Sequence, residues 1–113
     1  MNWISIQNPE ELEQIDQWSK EAPVLLFKHS TRCSISSAAL NRLETAWKEE
    51  NSAALKPVYI DLIRFRPLSN AIATRYGIEH ESPQALVISN GKCVYSESHF
   101  GINYHDLLAA AKV

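Results

Sequence analysis

Apolar positions along this chain change their period several times, and each change marks the edge of an element. Leu12, Ile15 and Trp18 share one helical face among Glu, Gln and Lys. Asn8-Pro9 just ahead reads as the N-cap and N1 pair of that helix. Past Pro23 the pattern becomes an unbroken run, Val24-Leu25-Leu26-Phe27, which ends at Lys28-His29. A run without polar alternation suits a strand covered on both faces, as in a central parallel sheet. Ser30 and Thr31 are N-cap candidates for the next helix, where Ile35, Ala39, Leu43 and Trp47 recur at helical spacing. Val58-Tyr59-Ile60 is a second strand. Pro67 opens a helix with Leu68, Ile72 and Tyr76 on one face and Gly77 where a C-cap belongs. Ala85-Leu86-Val87-Ile88 follows Pro83, Asn90-Gly91 is a two-residue hairpin turn, and Lys92 to Ser96 returns. Asn103 and Asp106 resemble a capping box for a last helix carrying Tyr104, Leu107, Leu108 and Ala111.

The element order is therefore α-β-α-β-α-β-β-α, and a short first strand fits Trp3 to Ser5. Two helical crossovers make parallel neighbours, and the hairpin adds an antiparallel edge. The expectation is a single α/β domain over residues 1–113, a mixed four- or five-stranded sheet flanked by helices. That is the arrangement of the thioredoxin fold, although other α/β domains share similar patterns.

With 113 residues and 45% hydrophobic content, the chain is long enough for one self-sufficient core. Its eleven Lys and Arg are scattered and the net charge is -2, which argues against a nucleic-acid or anionic membrane partner. No apolar stretch reaches the ~20 residues of a membrane span, and the first residues lack the pattern of a signal peptide. A cytoplasmic location follows as an expectation, and there two cysteines are buried or reactive thiols rather than a disulfide scaffold.

Cys33 stands between the apolar strand and the following helix. Thiolate is the nucleophilic form of cysteine, and a helix N-terminus favours an anion through its free N–H groups and dipole. Arg32 is adjacent, and Ser34, Ser36 and Ser37 carry hydroxyl donors. Arg32 and Ser36 are thus candidates for stabilising the thiolate. In Cys33-Ser34-Ile35-Ser36 a serine stands where a dithiol site has its second thiol, so a mixed disulfide at Cys33 must await an external thiol. Ser82-Pro83 before an apolar strand resembles the cis-proline element of thioredoxins, in which the preceding residue offers its backbone to a substrate. His29, His80 and His99 are expected near the same end, and no spacing suggests a metal site.

Thr31-Arg32-Cys33 with Ile35-Ser36, Arg66-Pro67-Leu68-Ser69-Asn70, His80-Glu81-Ser82-Pro83-Gln84 and Ser98-His99-Phe100 together resemble the YtxJ family. Its members are described as monothiol bacilliredoxins, and the likeness covers nearly all of the chain from Val24 onward. Ser34 departs from it, since the family's motif usually has Pro there. The resemblance implies a thiol-disulfide oxidoreductase of a cytoplasmic stress response. Cys33 would remove bacillithiol from S-bacillithiolated client proteins, and Thr31, Ser82 and Pro83 would bind the substrate. It implies no cofactor, with bacillithiol as thiol co-substrate. Bacillithiol carries carboxylates, which makes Arg32, and less directly Arg64 and Arg66, candidates for binding it. Two other readings stay open on the residues alone: a monothiol glutaredoxin-like iron–sulfur cluster carrier, whose motif is Cys-Gly-Phe-Ser, and a non-catalytic binding module. Cys93 is expected to be structural, because residues 84–89 at ~3.3 Å each carry the hairpin turn away from Cys33.

Overall fold

The computed structural model describes residues 2–51 and 54–111. Strand β2 (Val24–His29) lies at the centre, and each of its six residues is buried. It pairs in parallel with β3 (Lys56–Asp61) and antiparallel with β4 (Gln84–Ser89). A short β1 (Ile4–Ser5) joins the far side of β3, and β5 (Lys92–Ser98) joins β4, giving the order β1-β3-β2-β4-β5. The expected mixed sheet is present with its fifth strand, but only the crossover from β2 to β3 makes a parallel neighbour: β4, reached from β3 by the second, runs antiparallel to β2, so the antiparallel part begins before the hairpin.

The unbroken apolar run in β2 has its cause in the two layers that cover it. Val24 and Leu26 face one core cluster with Leu12 and Ile15 of α1 (Leu12–Glu21) and Leu68 and Ile72 of α3 (Arg66–Tyr76). Leu25 and Phe27 face the other, with Ala39 and Leu43 of α2 (Ser34–Ala46) and Leu107 of α4 (Tyr104–Ala111). Alternate residues thus serve opposite faces of one strand, and both faces are dry.

Turn chemistry follows the expected residues. Asn90 and Gly91 both take positive φ, 52° and 74°, which the two-residue hairpin requires. Gly77 closes α3 at φ 67°. Asn103 Oδ1 accepts the Asp106 N–H at 2.9 Å, the capping half of the expected box, while the Asp106 carboxylate accepts from the Asn103 side-chain Nδ2 at 2.7 Å and not from its backbone N–H. Two starts differ from the sequence reading. Asn8-Pro9 leads into a 3-10 turn, Pro9–Glu11, with the α-helix proper beginning at Leu12. Helix α2 is capped neither by Ser30 nor by Thr31 but by Cys33. Among the described residues, no helix is long and apolar enough to cross a membrane.

Candidate active site

The end of the sheet where β2 finishes gathers the candidate residues. After His29 the chain turns, with Cys33 N–H donating to the Ser30 carbonyl at 3.2 Å. Cys33 then takes the N-cap position in extended geometry, φ -111° and ψ 120°, and its own carbonyl receives the Ser37 N–H at 3.0 Å. Cys33 is half-buried, its thiol is free, and its side chain makes no capping bond to the helix. Thr31 and Arg32 flank it and are exposed.

Ser36 is fully buried, and its hydroxyl serves the strand end. Its Oγ accepts the Ser30 N–H at 3.0 Å and lies 2.6 Å from His29 Nδ1. The hydroxyl has one proton and two lone pairs, so it can pair with either tautomer of His29 while holding the Ser30 N–H. Burial pushes the pKa of His29 down, against the opposing pull of Asp61, Glu44 and Ser36. Its ring stands between Phe27, 6.2 Å away and stacked, and Tyr59 at 5.7 Å. The serine in the fourth position of the motif is therefore a link between α2 and β2.

The peptide bond between Ser82 and Pro83 is cis, as the resemblance implied. Lys28 pairs with Gln84 across β2 and β4, so Pro83 stands beside the end of β2 where the Cys33 turn begins. The Pro83 carbonyl accepts the His99 N–H at 3.1 Å, tying in the 3-10 turn His99–Gly101, on which Phe100 is 75% exposed. Ser82 Oγ is buried without a hydrogen-bond partner among the described residues.

Sequence reasoning missed the other side of β2. Lys28, the last strand residue before His29, is completely buried under α3. Its Nζ donates to the Ser69 carbonyl at 3.2 Å and lies 3.3 Å from His80 Nδ1, which Ser69 Oγ also approaches at 3.3 Å. Burial pulls the Lys28 pKa down to about 8. His80 is also pushed down, by burial first and then by the charges of Lys28 and Arg66, with Glu81 opposing. The signal lay in the alternation: Lys28 continues the Val24, Leu26 face toward the core.

The three histidines do collect at this end, on β2, on the loop before Ser82 and after β5, each in a different setting. Arg64 lies over the Phe65 ring at 5.4 Å, and Arg66 opens α3; both are exposed. Cys93 pairs with Ile88, which faces Val24 at the opposite end of β2, so the sheet separates it from Cys33. Its thiol approaches the Tyr95 carbonyl at 3.3 Å, and burial pushes its pKa up. Among the described residues, no group of three or more His, Cys, Asp or Glu could hold a metal ion.

A family model described as monothiol bacilliredoxin BrxC matches residues 4–107. A solved structure described as a candidate oxidoreductase with a thioredoxin fold is 31% identical, with a TM-score of 0.81 over 97% of this chain and 93% of that one. Thioredoxin from Malassezia sympodialis superposes with a TM-score of 0.76 at 12% identity, covering 98% of this chain and 89% of its own. Thioredoxin f from spinach chloroplast gives 0.73 at 14%, covering 98% and 84%. The last two likenesses establish the fold alone.

Proposed function

Because the chain belongs to the monothiol bacilliredoxin family, we propose that it removes bacillithiol from S-bacillithiolated proteins of the cytosol through a mixed disulfide on Cys33. The observation that carries this reading is the site's single thiol. Cys33 caps α2 with an uncommitted sulfur, while position 36 holds a buried serine bonded to His29 and Ser30.

In the first step the Cys33 thiolate attacks the bacillithiol sulfur of the capped client. The S–S bond of the cap breaks, its electron pair leaves with the client sulfur, and solvent protonates that thiolate. A Cys33–bacillithiol disulfide remains. A second bacillithiol, as thiolate, then attacks the bacillithiol sulfur of that disulfide, forming oxidised bacillithiol and returning Cys33 as thiolate. A reductase acting on the mixed disulfide would reach the same end.

Arg32, exposed and next to Cys33 in the chain, supplies positive charge for the thiolate and for the carboxylates of bacillithiol. Ser36 acts on the thiolate indirectly, through the helix it pins to β2. Thr31 and the Ser82-Pro83 backbone form the walls against which the capped cysteine is laid. No cofactor enters the cycle, and bacillithiol is both cargo and co-substrate.

The test compares clients capped by bacillithiol with the same clients capped by glutathione. Wild type is expected to free the bacillithiolated thiol faster, and Cys33→Ala to free neither. Equal rates for both caps would overturn the specificity, and no release at all would overturn the decapping role. An iron–sulfur carrier would instead show visible absorbance after anaerobic purification from iron-rich cells.

A further inference from the structure

The Lys28 ammonium is an expensive group to bury. It has lost all contact with solvent, and its hydrogen-bond partners are a carbonyl and an imidazole rather than a carboxylate. Apolar side chains of similar volume fill such positions at lower cost. What the lysine reaches distinguishes it. Nζ spans from β2, the strand that leads into Cys33, to the first turn of α3 at Ser69 and to the loop at His80.

Its cross-strand partner reaches the same loop. Gln84 sits opposite Lys28 in register, is 2% exposed, and donates from Nε2 to the Glu79 carbonyl at 2.9 Å. Two neighbouring side chains on one face of the sheet therefore hold two consecutive loop residues, Glu79 and His80. Residues 77–82 run from the C-cap of α3 to the residue before Pro83, so whatever fixes Glu79 and His80 fixes where Ser82 is presented. The partners also set the state of His80. Both Lys28 Nζ and Ser69 Oγ approach Nδ1, which can accept only when that nitrogen carries no proton.

We propose that Lys28 is a positioning residue: from the α3 side of β2 it holds His80, and with Gln84 it keeps residues 77–82 where they present Ser82 and Pro83 beside Cys33. The catalytic part of this rests on the reading of Ser82-Pro83 as the platform for the capped cysteine; the anchoring part does not. Arg66 and Glu81 are the other charges felt by His80, and neither replaces the buried donor.

Lys28→Met keeps an unbranched apolar stem as far as Cε while removing the Nζ donor. Amide hydrogen exchange at Ile78, whose N–H is bonded to the Ala73 carbonyl where the loop begins, should then quicken by about tenfold, with no quickening in β2. The KM for a bacillithiolated client should rise by about fivefold to tenfold, with iodoacetamide alkylation of Cys33 unchanged, since only substrate positioning is lost. A purely structural role would not split KM from thiol reactivity. His80 provides the second variant, on an exposed loop whose alteration leaves the core intact. His80→Asn, whose Oδ1 can stand in for the Nδ1 acceptor, should keep both loop protection and KM, and His80→Leu should lose both. Wild-type exchange in Lys28→Met would overturn the anchoring, as would equal behaviour of the two His80 variants. Faster exchange with an unchanged KM would overturn the positioning role. If wild type decaps no client, the functional reading falls, and the exchange rates still decide whether Lys28 holds the loop.

Discussion

At the scale of single residues, the site separates groups that a motif reveals from groups that only packing reveals. Thr31, Arg32 and Cys33 stand out as candidates because a cysteine between a strand and a helix is a local pattern. The His29–Ser36 link is not, because it needs to be known which face of β2 each side chain takes and how far α2 lies above it. Its removal has a definite consequence. Ser36→Ala leaves the His29 Nδ1 and the Ser30 N–H unpaired in a buried setting, so stability should fall by ~1–3 kcal/mol in urea titrations. Ser36→Cys should instead yield an internal disulfide with Cys33 under mild oxidation, read as a mass loss of about 2 Da with both thiols blocked to alkylation. An i, i+3 pair at a helix start lies within the ~7 Å Cα limit for such a bond. Persistence of two free thiols would show that the first turn of α2 holds the two side chains apart. His29 also sets an acid limit. Its folded pKa lies below the ordinary 6.5, so as pH falls the unfolded chain takes up the proton first. The stability contributed by the neutral ring is present above that value and is lost as pH drops from 6.5 toward the folded pKa. His29→Asn should flatten this part of a stability–pH curve.

Elements were read more surely than their ends. Val24-Leu25-Leu26-Phe27 and Ala85-Leu86-Val87-Ile88 are continuous apolar runs, and Arg66–Tyr76 has its proline near the start and a closing glycine just past its end. The start of α2 was misplaced because Ser30 and Thr31 have better intrinsic capping side chains than cysteine. The strand overrode that preference: Ser30 remains buried at the end of β2, its N–H taken by Ser36, and the helix can begin only after the turn. The consequence is that Cys33, the proposed nucleophile, itself occupies the cap. At α4 the sequence pattern and the structure agree, and Asn103→Ala, which removes the acceptor of the Asp106 N–H, should cost ~1 kcal/mol of thermal or urea stability. The hairpin likewise decides the part played by Cys93. With Ile88 facing Val24, about 13 Å of β2 separates its row from Lys28, so Cys93→Ser should leave decapping intact. A diamide-induced Cys33–Cys93 bond would contradict this register.

Across the whole molecule, the sheet divides labour between its two faces. The α2 face carries Cys33 and the His29–Ser36 link; the α3 face carries Lys28 with its contacts to Ser69 and His80. Fold class was legible because the order of periods admits few topologies, whereas the buried lysine was not, since charge at a strand end ordinarily means solvent. Its titration should show in global stability. The folded pKa near 8 lies below the ordinary 10.5, so the penalty of the buried ammonium is present below pH 8 and is relieved between those values. Lys28→Met should therefore gain on wild type in urea midpoint most at pH 7, with the difference narrowing toward pH 10. A constant difference would place the lysine charge in water. Where the cap goes decides whether Cys33 attacks the bacillithiol sulfur. Wild type mixed with one equivalent of a bacillithiolated client and quenched by acid should show, by intact mass, one bacillithiol gained on Cys33 as the client loses one. A client freed without that adduct, or one joined to Cys33 by its own sulfur, would contradict attack at the bacillithiol sulfur.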